Sequence, residues 1–145
     1  MKAVIQRVKH TSLKVDGKLI SEIPFGLAVY LGVKCGDTSA QAEALAKKLS
    51  KLRIFEDENG KMNLSVSDVG GEILLISQFT LYGDCSHGNR PSFIEAERPE
   101  AANALYEYTA KILRELGMTV KTGIFGADMK IEQYNDGPVT IIYEI

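Results

Sequence analysis

The sequence predicts an α+β fold of mixed, mainly antiparallel sheets curled toward a barrel, with two main helices. Three observations carry this. Seven or more segments have strand-like composition, and most are joined by short turns. Only two segments hold an apolar stripe at helical spacing. The regular strand–helix alternation of a doubly wound fold is missing, as are a glycine-rich phosphate fingerprint and a P-loop.

Residues 2–15 are rich in Val, Ile and Lys and read as a long strand. Asp16-Gly17 is a hairpin signal, with a return through Lys18–Ile23. Pro24 and Gly26 bracket a break, and Phe25–Val33 forms a mostly apolar strand. Thr38-Ser39-Ala40-Gln41 fits a capping box with Thr38 at the N-cap. A helix follows to about Leu52, its stripe made by Ala42, Leu45, Ala46, Leu49 and Leu52. Lys47, Lys48 and Lys51 fall off that stripe, toward solvent. Arg53–Glu56 and Lys61–Asn63 flank Asp57-Glu58-Asn59-Gly60 as a second hairpin. Gly70-Gly71 is a turn, and Glu72–Tyr82 is an inner strand with an apolar centre on both faces. Gly83–Ser92 is a polar loop. Pro99 suits N1 of the second helix, whose stripe is Leu105, Tyr108, Thr109, Ile112, Leu113 and Leu116, with Gly117 as the stop. Strands at Met118–Gly123, Lys130–Asn135 and Val139–Ile145 complete the chain, with Gly137-Pro138 as a turn between the last two.

The 145 residues suit one domain, 1–145, without repeat or linker. Apolar residues are 45% and charged residues 25%, which excludes a disordered or fibrous chain. No apolar run approaches a membrane span, and residues 1–15 lack the apolar core of a secretory signal. Two cysteines without an export signal read as reduced thiols in the cytoplasm. Cys85-Ser86-His87 has no second ligand pair, so no metal site is expected. The net charge of −2 argues against a generic nucleic-acid binder, yet it hides a split. Residues 1–53 carry ten Lys/Arg against four acids, and residues 54–145 carry seven against fifteen. A polyanion partner would explain that asymmetry, as would chance scatter over the surface.

Conventional catalytic sets are thin. A Ser-His-Asp triad would have to use Ser77 or Ser86, His87 and Asp84, and no nucleophile-elbow sequence surrounds either serine. His10 lies on a strand. The acids mostly occupy turns and helix faces. What remains is Ser77-Gln78-Phe79-Thr80, which runs straight off the apolar strand Ile73–Ile76. Its hydroxyls and amide can donate and accept without ionising. Water-facing alternation would explain the same letters. Asn135-Asp136-Gly137-Pro138-Val139-Thr140 is the other unusual segment. Trans is the default for its X–Pro bond.

Together these segments resemble the D-aminoacyl-tRNA deacylases, which remove D-amino acids wrongly esterified to tRNA. The family's Ser-Gln-Phe-Thr motif matches Ser77, Gln78, Phe79 and Thr80. Its Asn-x-Gly-Pro-Val-Thr motif matches Asn135 and Gly137 to Thr140, and Val4–Val8 looks like its first strand. The two motifs stand some 55 residues apart, in order, in a chain of the right length, and no matched position departs from the pattern.

The resemblance implies a homodimer in which Gly137-Pro138 of one subunit reaches the pocket of the other. The Gly-Pro bond would be cis, with both carbonyls turned into the site. Arg7 would hold this segment, and Phe125 and Met129 would lie near the terminal adenosine. The substrate would be the acceptor end of a D-aminoacyl-tRNA, with no cofactor. Such an editor must read the shared α-ammonium and the direction of Cβ, because it accepts many side chains. A rigid wall that clashes with L residues cannot exclude glycine, so glycyl-tRNA is expected to be a substrate as well. Backbone amides near Phe79 and Thr80 are the candidate oxyanion donors. The ribose 2′-OH can assist water, whereas Thr80 as nucleophile would need a base. An RNA-binding dimer without catalysis and a histidine-dependent esterase are the competing readings. The first lacks RRM or KH signatures, and the second rests on His87.

Overall fold

The computed structural model describes residues 1–145. The element order is β1 (Lys2–Val15), β2 (Lys18–Ile23), β3 (Gly26–Gly32), α1 (Ser39–Lys51), β4 (Arg53–Glu56), β5 (Met62–Ser65), β6 (Glu72–Ser77), a 3₁₀ turn (Phe79–Tyr82), α2 (Pro99–Glu115), β7 (Val120–Thr122) and β8 (Met129–Glu144). This is an α+β architecture with a nearly closed, mixed sheet.

β1 organises that sheet. One of its edges pairs antiparallel with β8 along its whole length. The other edge is shared: Lys2–Val8 pair with β3 and Thr11–Val15 pair with β2. β3 then pairs in parallel with β6, and β6 with β7. β2 closes the curl onto β7, where Ser21 Oγ donates to Thr122 O at 2.6 Å and Lys121 Nζ donates to Glu22 O at 2.6 Å. The Asp16-Gly17 turn has φ of 49° and 75°, the left-handed pair that a two-residue hairpin requires. Gly26 has φ +141°, and a Cβ there would sit 1.9 Å from Glu72 O, so only glycine lets β3 begin against β6.

Two apolar clusters flank the sheet. The larger joins one face (Ala3, Ile5, Leu27, Val29, Ile73, Leu75) to α1 and α2 through Leu45, Leu49, Tyr106 and Leu113. The smaller fills the inside of the curl with Val8, Leu13, Ile23, Ala28, Leu74 and Ile76. Each fully buried Leu or Ile contributes about 1.5–3 kcal/mol relative to exposure. α1 starts at the expected capping box, with Thr38 and Gln41 satisfying each other's backbone groups.

Four expectations need correction. The strand from Glu72 ends at Ser77 rather than Tyr82, because its neighbour β3 stops at Gly32 and offers no further ladder. α2 is rolled relative to the expected stripe: Ala102, Tyr106, Thr109, Ala110 and Leu113 are buried, Leu105, Tyr108 and Ile112 are half-buried, and Leu116 is exposed. Alanines at two contact positions let the helix approach closely, and Tyr106 is drawn inward by a bond to Leu75 O at 2.8 Å. The short strands also shift by one or two residues, to Met62–Ser65 and Val120–Thr122.

The fourth correction bears on function. Gly137-Pro138 does not separate two strands; β8 runs through it. Gln6 pairs with Thr140 and Val8 with Asn135, so the four residues 136–139 all lie opposite Arg7 as an extended bulge. Proline has no N–H for a ladder, and a bulge is where a sheet tolerates it. β1 provides the continuous partner that keeps both halves of β8 in one strand.

Candidate active site

The chain leaves the ladder at Gln78, whose amide makes the last bond, to Leu31 O at 2.8 Å. With φ −147° and ψ 81°, Gln78 turns the backbone into the single 3₁₀ turn. The first amides of such a turn have no carbonyl behind them. Accordingly, Phe79 N–H and Thr80 N–H donate to no backbone carbonyl. The Gln78 side-chain amide donates to Thr80 Oγ1. Phe79 is 57% exposed, and its ring meets Phe93 edge-on at 5.1 Å.

These residues form one wall of a cavity of about 650 Å³. Leu31, Ile76 and Tyr106 lie at its base, Phe125–Met129 and Ile131 form a second wall, and Phe93 with Ala96–Pro99 form a third. Tyr106 stands 6.0 Å from the Phe125 ring. Burial pushes its phenol well above the usual tyrosine range. The lining is mostly apolar with a few polar groups, the character of a small-molecule pocket. Glu97 is one of these groups. Its carboxylate accepts from the amides of Arg98 (2.7 Å) and Gly36 (3.2 Å), which hold it below the ordinary carboxylate range.

Ser77, Gln78, Phe79, Phe125 and Met129 all line this cavity, and Thr80 adjoins it through Gln78. Sequence reasoning missed Phe93, Tyr106, Ala102 and Glu97. Phe93 is legible only as the first of two apolar residues, Phe93-Ile94, just after a polar loop. Tyr106 was hidden by the expected roll of α2. The residues of the triad reading are not assembled: His87 is exposed, and Asp84 accepts from the Ser86 amide at 2.8 Å, which lowers its pKa. His10 pairs with Glu22 at 2.7 Å, far along β1.

Arg7, Gly137 and Pro138 lie elsewhere and do not line the cavity. Arg7 is only 5% exposed. Its Nη1 donates to Ile54 O at 2.8 Å, its Nε donates to Asp136 O at 3.3 Å, and Nε also meets the Asp136 carboxylate at 3.1 Å. The Gly137–Pro138 peptide is cis. Gly137 has φ +121°, and a Cβ there would crowd Val139 Cγ2 at 2.9 Å and Arg7 Nη2 at 3.3 Å. A polar chain flanks the bulge. Tyr30 Oη donates to Gln133, Gln133 Nε2 donates to Gln6 Oε1 at 2.7 Å, and Gln6 Nε2 donates to Thr140 Oγ1 at 3.2 Å. The protein thus presents two separate constructions: a cavity with free amides, and a projecting, glycine-dependent bulge.

Known proteins match this chain over essentially its whole length. Over 144 residues, the chain is 54% identical to a D-aminoacyl-tRNA deacylase of Geobacillus sp. (strain WCH70), covering 99% of this chain and 95% of that protein. It is 56% identical to the protein of the same name from Desulfatibacillum aliphaticivorans, covering 99% of each. Among solved structures, the c-Myc DNA Unwinding Element Binding Protein superposes with a TM-score of 0.94 at 43% identity, over 100% of this chain and 99% of that one. A probable eukaryotic D-amino acid tRNA deacylase superposes at 0.87 with 17% identity, over 99% and 98% of the two chains, and so shares the fold. The family model for D-Tyr-tRNA(Tyr) deacylase matches residues 4–144, and the chain belongs to that family.

Proposed function

We propose that the protein hydrolyses the ester of D-aminoacyl-tRNA as a cytoplasmic homodimer, releasing the amino acid and the tRNA. The observation that carries this is the cavity beside Ser77–Thr80, with two unpaired backbone amides and no base on the Thr80 hydroxyl. Water adds to the ester carbonyl, and the amides of Phe79 and Thr80 receive the developing oxyanion. One such donor is worth about 2.7–4 kcal/mol of barrier. The C–O bond to the ribose then breaks, and the leaving oxygen takes a proton. The neighbouring 2′-OH orients the water and relays that proton, so no histidine or carboxylate is needed. Phe125 and Met129 pack against the terminal adenosine.

Selection comes from the second construction. Gly137-Pro138 of one protomer enters the cavity mouth of the other, and its two carbonyls accept from the substrate's ammonium. Arg7 holds the bulge. An L side chain would meet this backbone, whereas a D side chain points away. The unpaired outer edge of β8, with Tyr134 66% and Ile142 69% exposed, supports assembly through this strand.

Incubation with matched D- and L-tyrosyl-tRNA tests the activity: only the D ester is lost, and equal loss of both, or of neither, overturns the reading. Glycyl-tRNA is cleaved too, because it offers nothing to exclude. A substrate ending in 2′-deoxyadenosine is cleaved at least ten-fold more slowly; full speed removes the 2′-OH from the mechanism. Thr80→Ala keeps most turnover, and its complete loss with binding intact would make Thr80 the nucleophile.

A further inference from the structure

One groove outside the cavity is lined by Lys47, Lys48, Lys51 and Arg53, with only Ala44 and Leu52 beside them. Its volume is about 410 Å³ and it carries no acid. Elsewhere, cations are commonly matched: Lys2, Arg7, Lys9, Lys14, Lys34, Lys111, Lys121 and Lys130 all make ion pairs. None of the four groove cations does. Four positive charges without a salt-bridge partner on one shallow strip, of which Arg53 also acts on the nearby Asp68 carboxylate, form a site for a polyanion in a chain of net charge −2.

Its position says which part of the polyanion. The groove shares no residue with the 650 Å³ cavity. It adjoins the bulge instead. Arg53 precedes Ile54, whose carbonyl accepts from Arg7, and the same guanidinium binds Asp136 beside Gly137. Lys48 Nζ lies 5.4 Å over the Tyr143 ring, three residues beyond Thr140 on the same strand. The groove is therefore rigidly attached to the Gly137-Pro138 end of its own protomer.

We infer that this groove grips acceptor-stem phosphates of the tRNA whose aminoacyl end occupies the other protomer's cavity. The inference rests on the proposed cross-subunit function: where the bulge of one protomer meets the cavity of the other, the groove travels with the bulge. Each tRNA is then held by both protomers, the ester by one and the stem by the other.

The test compares D-tyrosyl-tRNA with the short ester D-tyrosyl-adenosine, which has no stem. In Lys47→Gln/Lys51→Gln/Arg53→Gln, kcat/KM for the full tRNA falls at least ten-fold, through KM. Its log–log salt slope flattens by about 2–3, as expected for three lost phosphate contacts. Cleavage of D-tyrosyl-adenosine is spared. Lys18→Gln/Lys61→Gln/Lys111→Gln removes the same charge elsewhere and keeps the steep slope. Equal loss on both substrates, an unchanged slope, or the same flattening in the control triple overturns the inference. If the unmodified protein leaves D-tyrosyl-tRNA intact, the proposed activity itself has failed, which is a separate outcome.

Mixed dimers test the crossing. Ala96→Trp/Ala127→Trp fills the cavity of one protomer. When the filled protomer also carries the neutral groove, the live cavity opposite loses the salt slope. When the neutral groove lies on the protomer with the live cavity, the slope stays. The reverse pattern overturns the crossed arrangement.

Discussion

Arg7 is the residue on which the second construction turns. A buried guanidinium is costly to leave unpaired, and here it has two backbone carbonyls and the carboxylates of Asp136 and Glu56 around it. Its planar fork reaches Ile54 and Asp136 at once, which a lysine ammonium cannot do. Arg7→Lys should therefore lose about 1.5–3 kcal/mol of stability, the worth of hydrogen bonds to a charged group, measured by urea unfolding. Its effect on selection should be larger than its effect on folding. The ratio of D- to L-tyrosyl-tRNA cleavage should fall at least ten-fold, because a loosened bulge no longer keeps its wall in place. An unchanged ratio in a folded variant would detach Arg7 from selection. The Gln6–Gln133 bond serves the same bulge from the other side, tying Thr140 to the strand before it.

At the scale of elements, α2 shows how one side chain sets a helix's roll. Tyr106 Oη donates to Leu75 O, which also accepts from Gly123 at 3.2 Å. Tyr106→Phe removes one of two donors and leaves no orphaned carbonyl. Its cost should be the net value of a hydrogen bond, about 0.5–1.5 kcal/mol in the urea midpoint; a loss above about 3 kcal/mol would mean the helix had moved. Local chemistry made most elements legible. The β1–β2 turn followed from Asp16-Gly17, and the start of α1 from Thr38 and Gln41. Elements whose limits are set by distant partners were not legible. β6 ends where β3 ends, and β8 persists across a proline because β1 lies alongside; neither is written in the neighbouring letters. The site divides in the same way. Ser77–Thr80 stood out locally. Phe93 and Tyr106 join the cavity only through folding. The roles of Arg7 and Gly137 came from family resemblance, since a Gly-Pro pair read alone signals a turn.

For the whole molecule, stability against pH follows from groups whose pKa the fold displaces. Asp57, Asp68, Asp84 and Glu97 are all lowered, chiefly by hydrogen bonds from nearby backbone and side-chain donors. A lowered carboxylate adds stability above its unfolded pKa, near 4, and loses it as pH falls through the folded value. Urea midpoints should fall below about pH 4, and Glu97→Gln should show a shallower fall than the parent. At the alkaline end, burial raises Tyr82 and Tyr106, so the unfolded chain ionises first. Stability should fall again above about pH 10. Assembly gives a further expectation. Ile142→Lys together with Tyr134→Lys places charge on the exposed edge strand. Sedimentation should then report monomers, and the D-specific activity should become protein-concentration dependent. A variant that stays dimeric would move the interface away from β8.

The bulge at residues 136–139 also settles a matter of parity. Met129 and Ile131 pack on the cluster inside the curl, whereas Val139, Ile141 and Tyr143 pack on the cluster beneath the helices, on the opposite face of the sheet. All five are odd-numbered, and an unbroken strand would turn them all to one side. Between Asn135 and Thr140 β8 advances five residues while β1 advances two, and that odd step inverts the alternation. β1 makes its own inversion between Val8 and His10, where β8 advances a single residue. A strand pair that would otherwise serve one core is thereby shared between two. Deleting any one residue from 136–138 would restore the wrong parity and turn Val139, Ile141 and Tyr143 away from the cluster beneath the helices, so the bulge's length is fixed by the two cores.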